Sequence, residues 1–510
     1  MNRQSIRATA ALSLLAFAVV ACGQKPGAHV IDVAGQQPNA GQPQEDPGTA
    51  STDTTGGVDL DDSTTTDDDG GSDGTTGTSG TTGTTGTSGT TGTTGTSGTT
   101  GTTGTSGTTG TTGTDTTDGS GDGGSTTDGS TQQRQVRGSD RTGAGPDKIV
   151  LAGHAPVTGA APLPTTSFEQ ALDLYWLYVK DQGQQVLGRD TVEVIFRDDK
   201  YDPNSARQVC RELEAKAFTV AGGGGTDQIQ ACGQFAGVAQ FPYTSAGVTE
   251  AGLRDNPWYY ATSMSYRQQG VLLAQMVNSY FPGARSAMVV TDTPNFDDAV
   301  DGWLSGVQQQ GLDYYETLKH PKGDTSWYNS FASKLAEQEV DVVYILSSPV
   351  DYIRFAQQAD QQGYNPQYVG VGISMGLNAV LGSGCGQVHG GMFFSPFPGL
   401  DWAHQNVPEF FETAERHGKP QDDIALALWA NNKVAHALFL RYQQVYGNDL
   451  TREDFRDLVE TQTNVETGVF PTLNYSPDDH FGAGQVHLLR ANCDAAPAQY
   501  ETVEVFKTAF

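Results

Sequence analysis

The fold is decided by residues 218–249, whose sequence is FTVAGGGGTDQIQACGQFAGVAQFPYTSAGVT. A short apolar run at 218–221 is followed by four glycines, and a helical pattern starts at Thr226. This order predicts a strand, a tight loop and the N-terminus of a helix. Because such a terminus presents unpaired backbone N–H groups and a positive dipole end, it suits an anionic group of a ligand.

A second apolar run follows this predicted helix. It covers residues 241–245 and stops at Gly247 and Thr249. We interpret the two runs as strands whose ends are neighbours. Together, the two strand ends are predicted to hold one small polar molecule.

Composition divides the chain sharply. The chain has 510 residues, a formal net charge of −30 and 64 glycines. One low-complexity tract inflates both the negative charge and the glycine count, so neither total describes the folded part. The folded part is predicted to start at about Pro146.

The first 21 residues have the pattern of a signal peptide. Arg3 and Arg7 form a basic start, an apolar run covers 8–20, and the small Ala21 precedes Cys22. The apolar run is too short for a comfortable transmembrane span. The sequence VVAC resembles the bacterial lipobox, which implies lipidation of Cys22 and a membrane anchor outside the cytoplasm. The alternative is an ordinary secretory signal with a chance cysteine.

Residues 22–145 are predicted to be a disordered tether. They contain almost no large apolar residues, so they cannot bury enough surface to offset the entropy of ordering. Glycine recurs at every third position over 74–113. This spacing also occurs in collagen, but proline is missing, which favours a flexible spacer open to O-glycosylation over a trimer. As a random coil the tether spans roughly 60 Å.

The remaining sequence alternates strand-like and helix-like segments. This alternation predicts an α/β protein with parallel sheets. Two separate βαβα runs predict two lobes. The elements after Phe394 are too few for a third sheet, so we expect them to return and complete the first two.

From Lys148 to Phe510 the sequence resembles the type I periplasmic binding proteins of the leucine/isoleucine/valine-binding family, the solute receptors of ABC importers. The ordered landmarks are APVTG at 155–159, RDD at 197–199, DP at 202–203, VAGGGGT at 220–226 and TSAGVT at 244–249, with Leu253 and Tyr260 downstream. The resemblance implies two Rossmann-like lobes joined by three hinge crossings, with the ligand between them. We expect lobe I at 146–266 plus about 396–480, and lobe II at 267–395 plus about 481–510.

The resemblance also implies ligand-binding residues. Thr226 matches a serine that binds the ligand carboxylate, Gly247 a carbonyl that accepts from the ligand ammonium, and Thr249 a threonine that contacts both groups. Phe296 and Ser348 match positions where the family often has tyrosines. Each has a structural alternative: Thr226 as a helix cap, Thr249 as a turn hydroxyl and Phe296 as a core residue.

Gly372 is the main departure from the family pattern. It falls where the amino-acid binders place a glutamate against the ligand ammonium. A buried ammonium without a carboxylate is strongly disfavoured. Either Asp292 or Glu250 takes over this task, or the ligand is not an α-amino acid. The ligand class therefore stays open among amino acids, amides and small carboxylates.

Other site classes are not supported by the sequence. The four glycines lack the third glycine of a dinucleotide-binding loop, because position 227 is Asp. No short hydrolase, zinc-protease or P-loop motif occurs, so we expect no enzyme activity, cofactor, metal site or nucleic-acid partner. Asp198, Asp199 and Asp202 could suggest a metal site, but Asp202 before Pro203 is typical of a helix cap.

Four cysteines follow Cys22 in a domain expected to be exported, where disulfides persist. Cys210 and Cys232 lie on consecutive predicted helices, which favours the pairs Cys210–Cys232 and Cys385–Cys493 without excluding the other two pairings. The complete interpretation is a monomeric, lipid-anchored receptor that delivers a small polar solute to an ABC permease. The alternative is a surface sensor or adhesin with the same fold and no transport role.

Overall fold

The computed structural model describes residues 133–159, 165–372 and 377–510. These residues belong to one compact unit. The predicted signal peptide, the lipidation site Cys22 and the tether up to residue 132 lie outside the described residues. No helix within the described ranges has both the length and the apolar character needed to cross a membrane.

The first sheet has five strands, all parallel, in the order β2-β1-β3-β4-β5. Its strands are β1 Lys148–Ala155, β2 Thr191–Asp198, β3 Thr219–Gly223, β4 Tyr243–Ser245 and β5 Tyr259–Ala261. Burial on both faces explains why β3 and β4 read as short continuous apolar runs in the sequence.

The second sheet has seven strands in the order β12-β11-β10-β9-β8-β6-β7. Its strands are β6 Arg285–Thr291, β7 Asp313–His320, β8 Val342–Leu346, β9 Gln367–Val371, β10 Met392–Ser395, β11 Val486–Asn492 and β12 Gln499–Lys507. The strands β6 to β10 are parallel, whereas β11 and β12 add an antiparallel edge.

Fourteen α-helices are assigned within the described residues, together with one short 3-10 helix at Pro294–Phe296. They are α1 Thr165–Gln170, α2 Leu174–Asp181, α3 Pro203–Glu214, α4 Thr226–Ala239, α5 Tyr266–Tyr280, α6 Asp297–Gln310, α7 Trp327–Glu337, α8 Pro349–Gln361, α9 Leu377–Leu381, α10 Cys385–Val388, α11 Leu400–Asn406, α12 Pro408–His417, α13 Asp423–Tyr446 and α14 Arg452–Val459. As predicted, Asp202 caps α3 by accepting a hydrogen bond from the Ser205 N–H, with Pro203 at the first helical position.

The chain passes between the two sheets three times. It leaves the first sheet after β5, returns to it at α12, which packs on α2, and joins the second sheet again at β11. A parallel bridge between Ala261 and Phe481 lies where the first and third passages run side by side. This architecture confirms the predicted two-lobe α/β fold with three crossings. Asp401 on α11 accepts hydrogen bonds from Thr502 on β12, so α11 still packs on the second sheet. The second passage between the sheets therefore comes after α11.

The tether ends earlier than the sequence predicted. The sequence predicts that the tether extends to residue 145. This prediction is wrong for residues 133–145, which pack on α13 and α14. The backbone N–H groups of Arg137 and Gly138 donate to the Asp454 carboxylate at 3.0 and 2.8 Å. Ala144 forms a bridge with Ile149. The segment has few apolar residues, so its hydrophobic pattern does not indicate that it is packed against the domain. It is held by backbone hydrogen bonds.

Arg452 fastens this segment to lobe I. Its guanidinium is fully buried and donates to the carboxylates of Asp140 and Glu214 at 3.0 and 2.9 Å. It also donates to the backbone carbonyls of Glu214, Ala217 and Phe218. One side chain thereby joins the N-terminal segment, α3, β3 and α14.

The structure contains two disulfides, with the pairing that the sequence favoured. Cys210 and Cys232 join α3 to α4, with Cα atoms 5.7 Å apart. Cys385 and Cys493 join the start of α10 to the residue after β11, with Cα atoms 5.5 Å apart. The first disulfide fixes the helix whose N-terminus is the predicted anion site.

We expect Arg452→Ala to lower the free energy of unfolding by about 3–5 kcal/mol, because it leaves several buried acceptors without a donor. Arg456→Ala, on the same helix, is the matched control. Arg456 pairs with Asp457 at a partly exposed position, so its loss should cost about 1 kcal/mol or less. Urea denaturation followed by circular dichroism measures both values. Equal losses in the two variants would contradict the role given to Arg452.

Candidate functional site

The start of α4 is left open by the glycine loop. Gly225 is the N-cap, with φ +78°, and no side chain caps the helix. Thr226 is therefore the first helical residue and not the cap. The first helical hydrogen bond is donated by the Ile229 N–H to the Gly225 carbonyl. The N–H groups of residues 226–228 consequently have no acceptor in the helix.

A cavity of about 200 Å³ lies directly in front of this helix start. Its walls come from both lobes. Lobe I and the first crossing supply Pro156, Tyr201, Gly223, Gly225, Thr226, Ile229, Ala246, Gly247, Val248, Ser263, Tyr266 and Gln269. The opposite wall consists of Ser348, Pro349, Gly372, Leu377, Pro396 and Phe397. Within the part of the chain that the structure describes, this wall carries no ionisable acid, lysine, arginine or histidine.

Four of the six predicted ligand residues line this cavity: Thr226, Gly247, Ser348 and Gly372. The other two do not. Thr249 is fully buried, and its hydroxyl accepts a hydrogen bond from the Ala251 N–H at 3.2 Å, as in a turn. Phe296 packs on Tyr266, with ring centroids 5.9 Å apart, and borders a smaller neighbouring cavity.

The hydroxyl of Ser348 is largely used by its own helix. It caps α8 by accepting from the Asp351 N–H at 3.1 Å, and it donates to the Asp351 carboxylate at 2.7 Å. Gly247 is fixed by Ser263, whose hydroxyl accepts its N–H at 2.8 Å. These contacts hold the cavity walls in place.

Sequence reasoning missed two tyrosines in the cavity wall. Tyr266 lies at the start of α5, and its hydroxyl is 3.3 Å from the hydroxyl of Thr226. Tyr201 lies immediately before the Asp202 cap. Burial raises the pKa of both phenols, so both stay protonated and can donate hydrogen bonds. Tyr201 directly precedes the DP landmark at 202–203, and this position could have marked it as a cavity residue. No local sequence feature marks Tyr266 in this way.

The charged groups lie at the mouth of the cleft and connect the two lobes. Lys322, after β7, binds Asp227 in the first turn of α4 with an N–O distance of 2.6 Å. Asn295 also donates to Asp227. The Lys322 ammonium lies over the Tyr201 ring, 4.2 Å from its centroid. The lobes are therefore in direct contact at this point.

The two acids considered as partners for a ligand ammonium do not face the cavity. Asp292 is exposed and lies 3.6 Å from the Lys319 ammonium. Glu250 binds Arg254 at 2.8 Å and accepts from the Ser265 hydroxyl at 2.6 Å. Burial acts to raise the pKa of Glu250, but the hydrogen bonds from Arg254 and Ser265 lower it on balance. Neither acid takes the place of the family's glutamate, whose position is occupied here by Gly372.

A buried polar group supports the glycine loop from behind. His154 is hydrogen-bonded to Asp199 at 2.7 Å and to the Tyr243 hydroxyl at 2.7 Å. A Cβ at Gly223 would lie 3.1 Å from His154 and even closer to the Tyr243 hydroxyl, so only glycine fits there. The group lies beneath the wall and does not reach the cavity.

Three residues have possible metal-ligand atoms that lie close together. His154, Cys210 and Cys232 have ligand atoms within 4.8 Å of one another. However, the two sulfurs form a disulfide and both imidazole nitrogens are hydrogen-bonded. These three residues therefore offer no free ligand set in this structure.

The periplasmic binding protein family model matches residues 148–496. The chain belongs to this family, and its two-lobe architecture is that of the type I members. Membership implies a solute-binding protein located outside the cytoplasm. No curated protein matches the chain.

Solved structures share the fold at low sequence identity. A fatty acid ABC transporter substrate-binding protein from Thermomonospora curvata has 19% identity and a TM-score of 0.62 over 73% of this chain and 95% of that one. A branched-chain amino acid ABC transporter protein from Thermus thermophilus with bound valine has 16% identity and a TM-score of 0.58, covering 70% and 95%. A solute-binding protein from Rhodopseudomonas palustris BisB5 with 3,4-dihydroxybenzoic acid has 16% identity and a TM-score of 0.57, covering 71% and 99%.

We expect Gly247→Ala to disturb the cavity wall, because a Cβ there would lie 2.3 Å from the Ser263 carbonyl oxygen. The predicted loss in unfolding free energy is about 1–3 kcal/mol. Gly372→Ala is the matched control, since its Cβ would lie 3.6 Å from the nearest atom, in ordinary contact. It should cost about 0.5 kcal/mol or less. Urea denaturation tests both, and a larger loss for Gly372→Ala would contradict the wall geometry.

Proposed function

We propose that this chain is a lipid-anchored substrate-binding protein of an ABC importer, and that its solute is a small carboxylate with a mainly apolar body. The observation that carries this proposal is the cavity between the lobes. Most of its wall is apolar, and its one strongly polar end is the uncapped start of α4.

The apolar wall supports an apolar body for the ligand. Ile229, Val248, Leu377, Pro396 and Phe397 surround the cavity from both lobes. Burial of apolar ligand surface against such residues contributes about 25 cal/mol per Å². A highly hydrophilic solute would instead lose its hydration against a wall with few partners.

The start of α4 supports a carboxylate head group. The N–H groups of residues 226–228 and the Thr226 hydroxyl can donate to an anion there, and the helix dipole favours negative charge. The Tyr266 hydroxyl lies beside Thr226 and can donate as well. These neutral donors can bind an anion without a cation in the described part of the cavity wall.

The same wall argues against an α-amino acid. A bound ammonium would need a carboxylate or several acceptors, and the described cavity wall supplies no carboxylate. The Gly247 carbonyl is one acceptor, but the Ser263 hydroxyl already donates to it at 3.5 Å. A carboxylate without an ammonium fits these groups better.

Closure follows from contacts on both lobes. A solute that touches the α4 start and the opposite wall, around Ser348 and Gly372, binds the closed form more tightly than the open one. It therefore shifts the population toward closure. The Lys322–Asp227 pair at the mouth adds a contact made only when the lobes meet. In this proposal the closed form is delivered to a permease.

The proposed ligand class agrees with two of the structural neighbours. The Thermomonospora curvata protein is named for fatty acids, and the Rhodopseudomonas palustris protein holds 3,4-dihydroxybenzoic acid. Both ligand types combine an apolar body with a carboxylate. The Thermus thermophilus protein binds valine, and valine is therefore the appropriate contrasting ligand.

Isothermal titration calorimetry on the full-length chain tests the ligand class. We expect 4-hydroxybenzoate or octanoate to bind with a micromolar dissociation constant. Valine should bind at least about 100-fold more weakly, because its ammonium has no acid partner. Tight valine binding would contradict the proposed class, and a folded protein with no response to any of the three would count against the proposed function.

The anchor is tested at Cys22. Cys22→Ser should move the protein from the membrane fraction to the soluble extracytoplasmic fraction and abolish labelling with a radioactive fatty acid. Cys210 is unsuitable as a control because it forms a disulfide, so the wild-type chain serves as the reference. Unchanged membrane association and labelling in Cys22→Ser would contradict the lipoprotein proposal.

A further inference from the structure

A second, smaller cavity adjoins the polar end of the main one. Its volume is about 20 Å³, enough for a water molecule. It shares Tyr201, Thr226 and Ser348 with the main cavity. We call it the side pocket, and its remaining lining includes Asp227, Gln228 and Lys322.

Gln228 in this side pocket is buried without a hydrogen-bond partner. Its side chain is 0% exposed, and within the described part of the chain neither its Nε2 nor its Oε1 has a partner. Burying an unpaired amide costs free energy, and buried polar groups in native proteins nearly always have partners. An unpaired amide in a cavity wall therefore points to a partner that arrives with the ligand.

The position of Gln228 is set by the glycine loop. It is the third residue of α4, next to the N–H groups that have no helical acceptor. Its Oε1 lies where a side chain on Gly225 would be, 2.2 Å from the position of a Cβ there. Because Gly225 also lines the main cavity, the amide lies just behind the proposed carboxylate position.

Several other polar groups of the side pocket are already engaged. Lys322 and Asp227 bind each other at 2.6 Å. Ser348 is bonded to Asp351 on its own helix. The Thr291 hydroxyl lies 3.0 Å from the hydroxyl of Ser347. Gln228 differs from these groups, because both of its buried amide atoms lack a partner among the described residues.

We propose that Gln228 is a specificity-determining residue for the head group of the solute. Its Nε2 donates to a head-group oxygen, and its Oε1 accepts from one water held in the side pocket. The residue thereby selects a carboxylate or a primary amide over an apolar or cationic end. This inference rests on the proposed function, and it adds a residue that neither the family resemblance nor the motifs indicated.

The test is Gln228→Met, which keeps the volume and removes both hydrogen-bonding atoms. In the ligand-free full-length chain, the melting temperature should stay the same or rise, because an unsatisfied buried amide is replaced by an apolar group. The dissociation constant for 4-hydroxybenzoate and for octanoate should increase about tenfold. A purely structural glutamine would give the reverse pattern, a lower melting temperature with unchanged affinity.

Gln230→Met is the matched control on the same helix. The Gln230 amide donates to the Ala251 carbonyl at 2.9 Å and lies outside both cavities, so its loss should leave affinity unchanged. Gln228→Glu is a second variant of nearly the same shape, and a carboxylate in the first turn of a helix is favourable. It should fold and should weaken binding of both probes more than Gln228→Met does, through like-charge repulsion.

The outcomes separate this inference from the proposed function. Weaker binding in both Gln228 variants, with an unchanged or higher melting temperature for Gln228→Met, supports the inference. If the wild-type chain binds a probe and the Gln228 variants bind it equally well, the inference is wrong and the proposed function stands. If the wild-type chain binds neither probe, both are wrong.

Discussion

The site depends on a helix start that has no capping side chain and lies at the wall of a cavity between the two lobes. Four glycines allow β3 to turn into α4 without a capping side chain, and Gly225 adopts φ +78° at that turn. A Cβ at Gly223 would meet Tyr243 and His154, and one at Gly225 would meet Gln228. The backbone can take this path only because these residues lack side chains. The result is a set of N–H donors fixed at the wall of the cavity.

The two-lobe architecture gives these donors their strength. In water, a helix N-terminus attracts an anion weakly, whereas beside a mainly apolar wall, where the local dielectric is lower, the same donors act more strongly. The three crossings connect the lobes, and the Lys322–Asp227 pair and the Asn295 contact join them beside the cavity. Charges are therefore placed at the rim, and the described wall of the cavity stays uncharged. In the proposed function, the charged contacts join the lobes, and the solute is recognised by neutral donors and apolar contact.

Sequence patterns predicted the strand, loop and helix at 218–239 because glycine composition and apolar runs are local signals. They also placed Thr226 and Gly247 in the cavity wall, because loops at adjacent strand ends must meet. They could not orient Thr249, since whether a turn hydroxyl faces the ligand or a neighbouring N–H depends on packing. For the same reason, sequence patterns could not show that the Phe296 ring packs on Tyr266 and does not line the main cavity.

Two other features were outside the reach of sequence patterns. Residues 133–145 are held by backbone contacts to Asp454 and by Arg452, and such contacts leave no hydrophobic periodicity. In the sequence Gln228 is one polar residue of a predicted helix, and only the structure shows that its amide has no partner among the described residues. Both cases concern polar groups whose partners are distant in the chain. Composition and periodicity report on local structure and burial, and not on such pairing.

The most direct measurement is a crystal structure of the chain grown with 4-hydroxybenzoate or octanoate. The account predicts electron density for one ligand molecule in the cavity, with a carboxylate oxygen within about 3 Å of the backbone nitrogens at residues 226–228. The apolar body should lie toward Phe397. A ligand bound with its carboxylate at the opposite wall, or an empty cavity with the ligand elsewhere on the surface, would contradict the account.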